Sequence, residues 1–141
     1  MNKMLLFTVI PLMVLVFIPG CAEFNEKFSD STSYPKVSPS PRYFDFSDVL
    51  VPGGLTKDAS ESYITNGHGR IILTGRLEKG SLAQFFITSM YSDGWTALNQ
   101  YEYQGSIKLF FKKSERIASI LITENPLGTR VEIWVIPQGK I

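Results

Sequence analysis

The chain has 141 residues, with 14 basic and 13 acidic side chains and a formal net charge of +1. A balance this close to zero, with no block of like charge, argues against nucleic acid or a polybasic lipid-binding surface as the main partner. One cysteine and one histidine exclude a disulfide scaffold, a multi-histidine zinc site and a pair of His ligands.

The first segment has the parts of a secretory signal. Lys3 supplies a positive start, and Leu5 to Phe17 (LLFTVIPLMVLVF) is an apolar run interrupted only by Thr8 and Pro11. It closes on Ile18-Pro19-Gly20-Cys21, a cysteine preceded by a small residue with an aliphatic residue three positions before it. This resembles the lipobox of bacterial lipoproteins, with Ile18 where Leu is usual and Pro19 where Ala or Ser is usual.

The resemblance implies that residues 1–20 are a cleaved signal peptide and that the Cys21 thiol carries a diacylglyceryl group. It implies too that the freed amine can be acylated, and two or three chains anchor stably where one holds only marginally. A retained transmembrane span is a competing reading, but the run is shorter than the roughly 20 apolar residues such a span needs. A conventional signal with an incidental cysteine is the other. Cys21 has no disulfide partner within the chain, which favours lipidation. Ala22 follows it, where an Asp is the familiar inner-membrane retention signal. The implied place is therefore the outer membrane, facing the periplasm, in a two-membrane cell. In a one-membrane cell it is the outer face of the plasma membrane.

Removing residues 1–20 leaves about 120 residues, enough for one domain with a single core. Lys3 leaves with the signal, so the remainder carries 13 basic and 13 acidic side chains. Residues 21–42 then read as a lipid-anchored tether, rich in Ser and Pro, with a coil span of about 25 Å. Phe24 and Phe28 keep open an ordered arm packed on the domain.

Residues 43–141 read as a single domain. Tyr43 to Leu55 (YFDFSDVLVPGGL) is too apolar for a linker: Phe44, Phe46, Val49 and Val51 can cover an edge of the core before Pro52-Gly53-Gly54 breaks the segment. Asp45 and Asp48 read as solvated carboxylates rather than metal ligands. Ser62 to Thr65, Asn66-Gly67, and Arg70 to Leu77 form a hairpin signal, because Asn-Gly accepts the positive φ values of a tight turn. Ser81 is the expected N-cap of one helix whose Leu82, Phe85, Phe86 and Met90 make a core stripe, stopped by Gly94.

Four strand-like segments follow. Trp95, Ala97, Tyr101 and Tyr103 alternate with Thr96, Gln100 and Glu102, although Leu98 and Asn99 break the pattern. Ile107, Leu109 and Phe111 alternate with Lys108 and Lys112; Arg116 to Thr123 (RIASILIT) is a β-branched apolar run; Val131, Ile133 and Val135 alternate with Arg130, Glu132 and Trp134. Short turns imply an antiparallel meander, since a parallel return needs a long crossover. The expected fold is α+β, a two-layer sandwich of order β-β-α-β-β-β-β with one helix on a mainly antiparallel sheet.

The mature chain also resembles small bacterial envelope lipoproteins without a known activity. The features that carry this are Phe44-Asp45-Phe46 near a Pro, Gly75-Arg76 at a strand end, Met90 followed by Asp93-Gly94-Trp95, and the closing Val131-Glu132-Ile133-Trp134. What this resemblance implies concerns fold and supplies no chemistry.

No catalytic constellation is expected. His68 sits between two glycines in the predicted turn, and no G-x-S-x-G or S-x-x-K motif accompanies it. Gly67-His68-Gly69 is followed by a strand, not the helix a phosphate loop needs. Glu78, Asp93, Glu102, Glu124 and Glu132 are scattered rather than paired across a cleft. No cofactor and no metal site is implied. If the helix covers one sheet face, Phe110 and Trp134 fall on the other, and Ile72, Ile120 and Ile122 are expected to join them as a partner surface. The chain's own tether or the Tyr43–Leu55 segment could equally cover that face. The expected function is a membrane-anchored, non-catalytic interaction module of the cell envelope with a protein partner. A periplasmic binding protein for a small apolar or lipidic ligand and a cell-wall glycan hydrolase are the alternatives.

Overall fold

A computed structural model describes residues 39–139 of the chain. The signal segment, Cys21, Phe24, Phe28 and the tether up to residue 38 lie outside the described residues.

The architecture is α+β: one helix and a six-stranded antiparallel sheet, joined by a short two-stranded ribbon. The ribbon comes first, β1 (Arg42–Tyr43) against β2 (Leu50–Val51). Arg42 already pairs with Val51, so ordered structure begins inside the stretch expected to be tether. Just before it, the backbone of Pro39 and Ser40 lies so close to Gly53 that any Cβ there would collide with it. Of the four residues expected to cover the core from the Tyr43–Leu55 segment, Phe46, Val49 and Val51 are buried and Phe44 is half-buried against it; Leu55 is buried as well.

Strands β3 (Leu55–Thr65) and β4 (His68–Gly75) form the expected hairpin. Its turn residues Asn66 and Gly67 have φ values of 51° and 73°, the left-handed pair that Asn-Gly accepts. Helix α1 spans Lys79–Ser92. Its N-cap is Glu78, not Ser81: the Glu78 carboxylate accepts from the amides of Gly80 at 2.6 Å and Ser81 at 2.5 Å. Those two amide bonds pull the Glu78 carboxyl below the usual range. Ser81 therefore supplies an N–H to the cap, and the helix starts a little earlier than its apolar stripe.

The other end closes as a Schellman motif. Gly94, at φ 82°, donates to Tyr91 O, and Trp95 donates to Met90 O at 2.9 Å. Leu82, Phe86 and Met90 are buried, while Phe85 packs at the margin.

The helix carries the chain from β4 to the far edge of the sheet. There β5 (Thr96–Tyr103), β6 (Ser106–Lys113), β7 (Arg116–Asn125) and β8 (Gly128–Pro137) run as a meander. The strand order is β3-β4-β8-β7-β6-β5, so the last strand closes the sheet against β4. Leu73, Leu109, Phe111, Ala118, Ile120, Ile122, Val131, Ile133 and Val135 form the helix-covered face of the core, and each is essentially inaccessible. Fully burying an aliphatic or aromatic side chain of this size contributes about 1.5–3 kcal/mol.

Candidate functional site

The face of the sheet away from the helix is the candidate site. Period-2 alternation fixes its membership: register pairs Tyr63 with Arg70, Arg70 with Trp134, Ile72 with Glu132, and Tyr101 with Lys108. The Tyr63 and Trp134 rings meet edge to face at 5.9 Å, and the Arg70 guanidinium lies over the indole at 5.7 Å. Farther along the sheet, Tyr101 stacks on Phe110 at 6.1 Å with Lys108 beside the Phe110 ring.

Charges are tied down between these rings. Arg130 grips Glu61 through its two terminal guanidinium nitrogens, at 3.2 and 2.6 Å, in the fork geometry that suits a carboxylate. That hydrogen bond holds the Glu61 carboxyl below its ordinary range. Arg70 bridges Glu61 and Glu132, at 3.4 and 3.3 Å. Its Nε–H is near Glu132 but not aimed at it, so the contact is an ion pair rather than a hydrogen bond. The indole N–H of Trp134 donates to Glu132. Between Trp134 and Lys108 lies a shallow hollow of about 370 Å³, floored by Ser119, Leu121 and Ile136.

Five residues were expected on this face, and three are. Phe110 and Trp134 are half-buried members of it. Ile72 shares the face but is fully buried beside the irregular stretch of β3, whose Ser62 hydroxyl accepts its N–H at 3.0 Å. Ile120 and Ile122 point the other way, into the helix-covered core, because Ile120 pairs with Ile133 and Ile122 with Val131. Sequence reasoning missed Tyr63, Arg70, Leu121 and Tyr101 as members. The Tyr43–Leu55 segment does not cover this face; it packs on the helix side, where β2 touches α1.

That segment has a polar anchor of its own. The Trp95 indole N–H donates to Asp48 O at 2.7 Å, and the Asp48 carboxylate takes Lys113 at 2.8 Å and Arg116. Both cations also lie over the Trp95 ring, at 5.8 and 5.1 Å. Burial pushes the Asp48 carboxyl up, but the two cations outweigh it and the net shift is downward. Tyr43 donates to Asp93 Oδ1 at 2.9 Å, which raises the phenol's titration. Between this segment and α1 runs a hollow of about 470 Å³ with Leu50 and Phe85 at its base and Gln84, Thr88 and Ser92 at its rim.

The acidic residues considered for catalysis are engaged in local roles. Glu78 caps the helix, Glu102 pairs with Lys79 at 2.5 Å, Glu132 holds Arg70 and Trp134, and Asp93 receives Tyr43. Glu124 is exposed in the β7–β8 turn region. His68 is half-buried at the start of β4, opposite Thr65. Among the described residues, no three His, Cys, Asp or Glu side chains converge as metal ligands. No family model matches the chain, and no curated protein or solved structure matches it either.

Proposed function

We propose that this chain is a lipid-anchored, non-catalytic interaction module of the bacterial cell envelope. In this reading Cys21 carries the lipid, the expected tether of residues 21–42 is shortened by the pairing of Arg42 in the β1–β2 ribbon, and the domain is a two-layer sandwich of β-β-α-β-β-β-β order. The observation that carries the interaction role is the open sheet face. Tyr63, Trp134, Phe110 and Tyr101 give it large, rigid, amphipathic contact area, and its carboxylates Glu61 and Glu132 are already held by arginines. Such groups suit recognition of a protein surface and leave no carboxylate poised to move a proton.

The anchor is tested by globomycin, which blocks the lipoprotein peptidase. Treated cells should accumulate a heavier precursor, and Cys21→Ser should release the chain from membranes. A Cys21→Ser chain that still fractionates with membranes overturns the anchoring. The face is tested by crosslinking in intact envelopes: paired Tyr63→Ala and Trp134→Ala changes should abolish a defined crosslinked species in a chain that still unfolds cooperatively, at a lower Tm. A species that persists overturns the assignment of the face.

A second reading has one observation in its favour. The hollow beside Leu50 and Phe85 has the size of a small-molecule site. Native mass spectrometry of the chain released from envelopes decides it, since a retained small ligand is expected only under that reading.

A further inference from the structure

The two edges of the sheet are built differently. Edge strand β3 loses its register with β4 between Asp58 and Tyr63. There the Asp58 carboxylate accepts from Ser60 N–H and hydroxyl, and the Ser62 hydroxyl donates to Asp58 O. With Lys57, Asp58 and Glu61 in the same stretch, this edge is bent and charged, two devices that discourage another strand from adding to it.

Edge strand β5 lacks both over most of its length. All eight of its residues are exposed. One extra residue, Leu98, shifts the register between Ala97 and Asn99. From Asn99 the pairing with β6 is regular to Tyr103, where Gln104 and Gly105, at φ 48° and 75°, turn the chain back. The regular run is thus Asn-Gln-Tyr-Glu-Tyr. Its one charge, Glu102, is neutralised by Lys79 from α1. Leu98, Tyr101 and Tyr103 expose about half or more of their surface (54, 46 and 67 %), as does Tyr91 of the adjoining helix (57 %). An edge strand presents unpaired N–H and C=O groups along its outer side, and among the described residues nothing pairs with these.

We propose that β5 pairs antiparallel with β5 of a second copy of this chain, about a two-fold axis at Tyr101. Tyr101 is the midpoint of the regular run, so this register uses all of it. Glu102 then faces Gln100 of the other copy, whose amide can donate to it, and the two Glu102 carboxylates do not meet. Asn99 faces Tyr103 of the other copy. Tyr101 faces its own equivalent, which joins the two Tyr101–Phe110 stacks into one aromatic strip across the open faces. Such an isologous contact closes on itself and stops at two copies. The inference concerns an edge of the domain and does not depend on the anchor.

Disulfide trapping of the full chain in detergent tests it, because Cys21 is the only native thiol. At the axis the two Tyr101 Cα atoms would lie about 4.5–5.5 Å apart whichever antiparallel pair type they form, within disulfide range. Tyr101→Cys should therefore convert most of the chain to a species of doubled mass on mild oxidation. Asn99→Cys, whose equivalents would be about 14 Å apart, and the unchanged chain should not. Light scattering of the unoxidised, unchanged chain should give twice the chain mass, and Tyr101→Lys should halve that while the chain still unfolds cooperatively at a somewhat lower Tm. A monomeric unchanged chain overturns the proposal. So does crosslinking of Asn99→Cys as strong as that of Tyr101→Cys, or a dimer insensitive to Tyr101→Lys. Trapping of Tyr101→Cys onto another protein or onto the chain's own Cys21 overturns it too.

Discussion

Residues one step apart on the same strand meet two different environments. On β8, Ile133 is sealed under the helix while Trp134 stands on the open face between Tyr63 and Arg70. The centre of the helix-covered face is a continuous aliphatic and aromatic layer, and its charges, Lys113 and Arg116 on Asp48 and Lys79 on Glu102, stand at its margins. The open face is a sequence of rings and ion pairs tied to one another, and among the described residues no element covers it. The difference separates what folds this domain from what it can offer to others. The first face carries the stability, since its side chains are fully desolvated; the second keeps rings in partial contact with water, where they contribute less to folding and remain available.

The sharpest test of that division is Phe86→Ala, which removes the largest helix side chain in the core. It should cost about 3–5 kcal/mol in denaturant unfolding. Trp134→Ala should cost clearly less, and a comparable loss would mean that both faces are core. Ile72→Ala probes the exception, an apolar side chain fully buried on the open side. A loss of about 2–5 kcal/mol is expected, well above that for the half-buried Leu121→Ala across Glu132 on the same face. Trp95→Phe keeps the ring but loses the N–H to Asp48 O, so about 1–2 kcal/mol should go, with the β1–β2 segment the first to show faster amide exchange.

Smaller effects come from the charges. The Asp48 carboxyl titrates below its ordinary value in the folded chain, so its stabilising contribution is present above the unfolded value near about 4. It is lost as pH falls through the lower folded value. Acid titration of stability should therefore show a gap between the chain and Asp48→Asn that narrows below about pH 4. Glu61→Gln, in an exposed pair, should barely move the Tm and should make what little it moves insensitive to salt.

Much of the fold was legible because it rests on local chemistry. Asn66-Gly67 demanded a tight turn, the Leu82–Phe86–Met90 stripe demanded a buried helix face, and alternation in β6 and β8 separated Phe110 and Trp134 from their inward neighbours. The candidate face was less legible, for two reasons. The run Arg116 to Thr123 is apolar on both of its faces, so periodicity alone could not say that Ile120 and Ile122 look inward; that is settled by pairing with Ile133 and Val131. On β5 the extra residue at Leu98 reverses the alternation. Trp95 is buried beneath the helix while Tyr101 and Tyr103, in phase with it by sequence, emerge on the open side. The Glu78 cap was missed because glutamate is an uncommon N-cap, and its carboxylate has to reach amides two and three residues ahead.

The place of β8 in the sheet has a consequence for how the chain comes to be folded. Among the described strands this one comes last in the sequence, yet it is the one that joins β4 to β7. Until Gly128–Pro137 has docked, the β3–β4 hairpin and the β5–β7 meander are two fragments, each with an inner edge that no neighbour yet satisfies. The contacts that unite them span much of the domain's sequence, so joining the two fragments is slower than forming either one. A truncation that removes this strand deletes the seam of the sheet rather than its border.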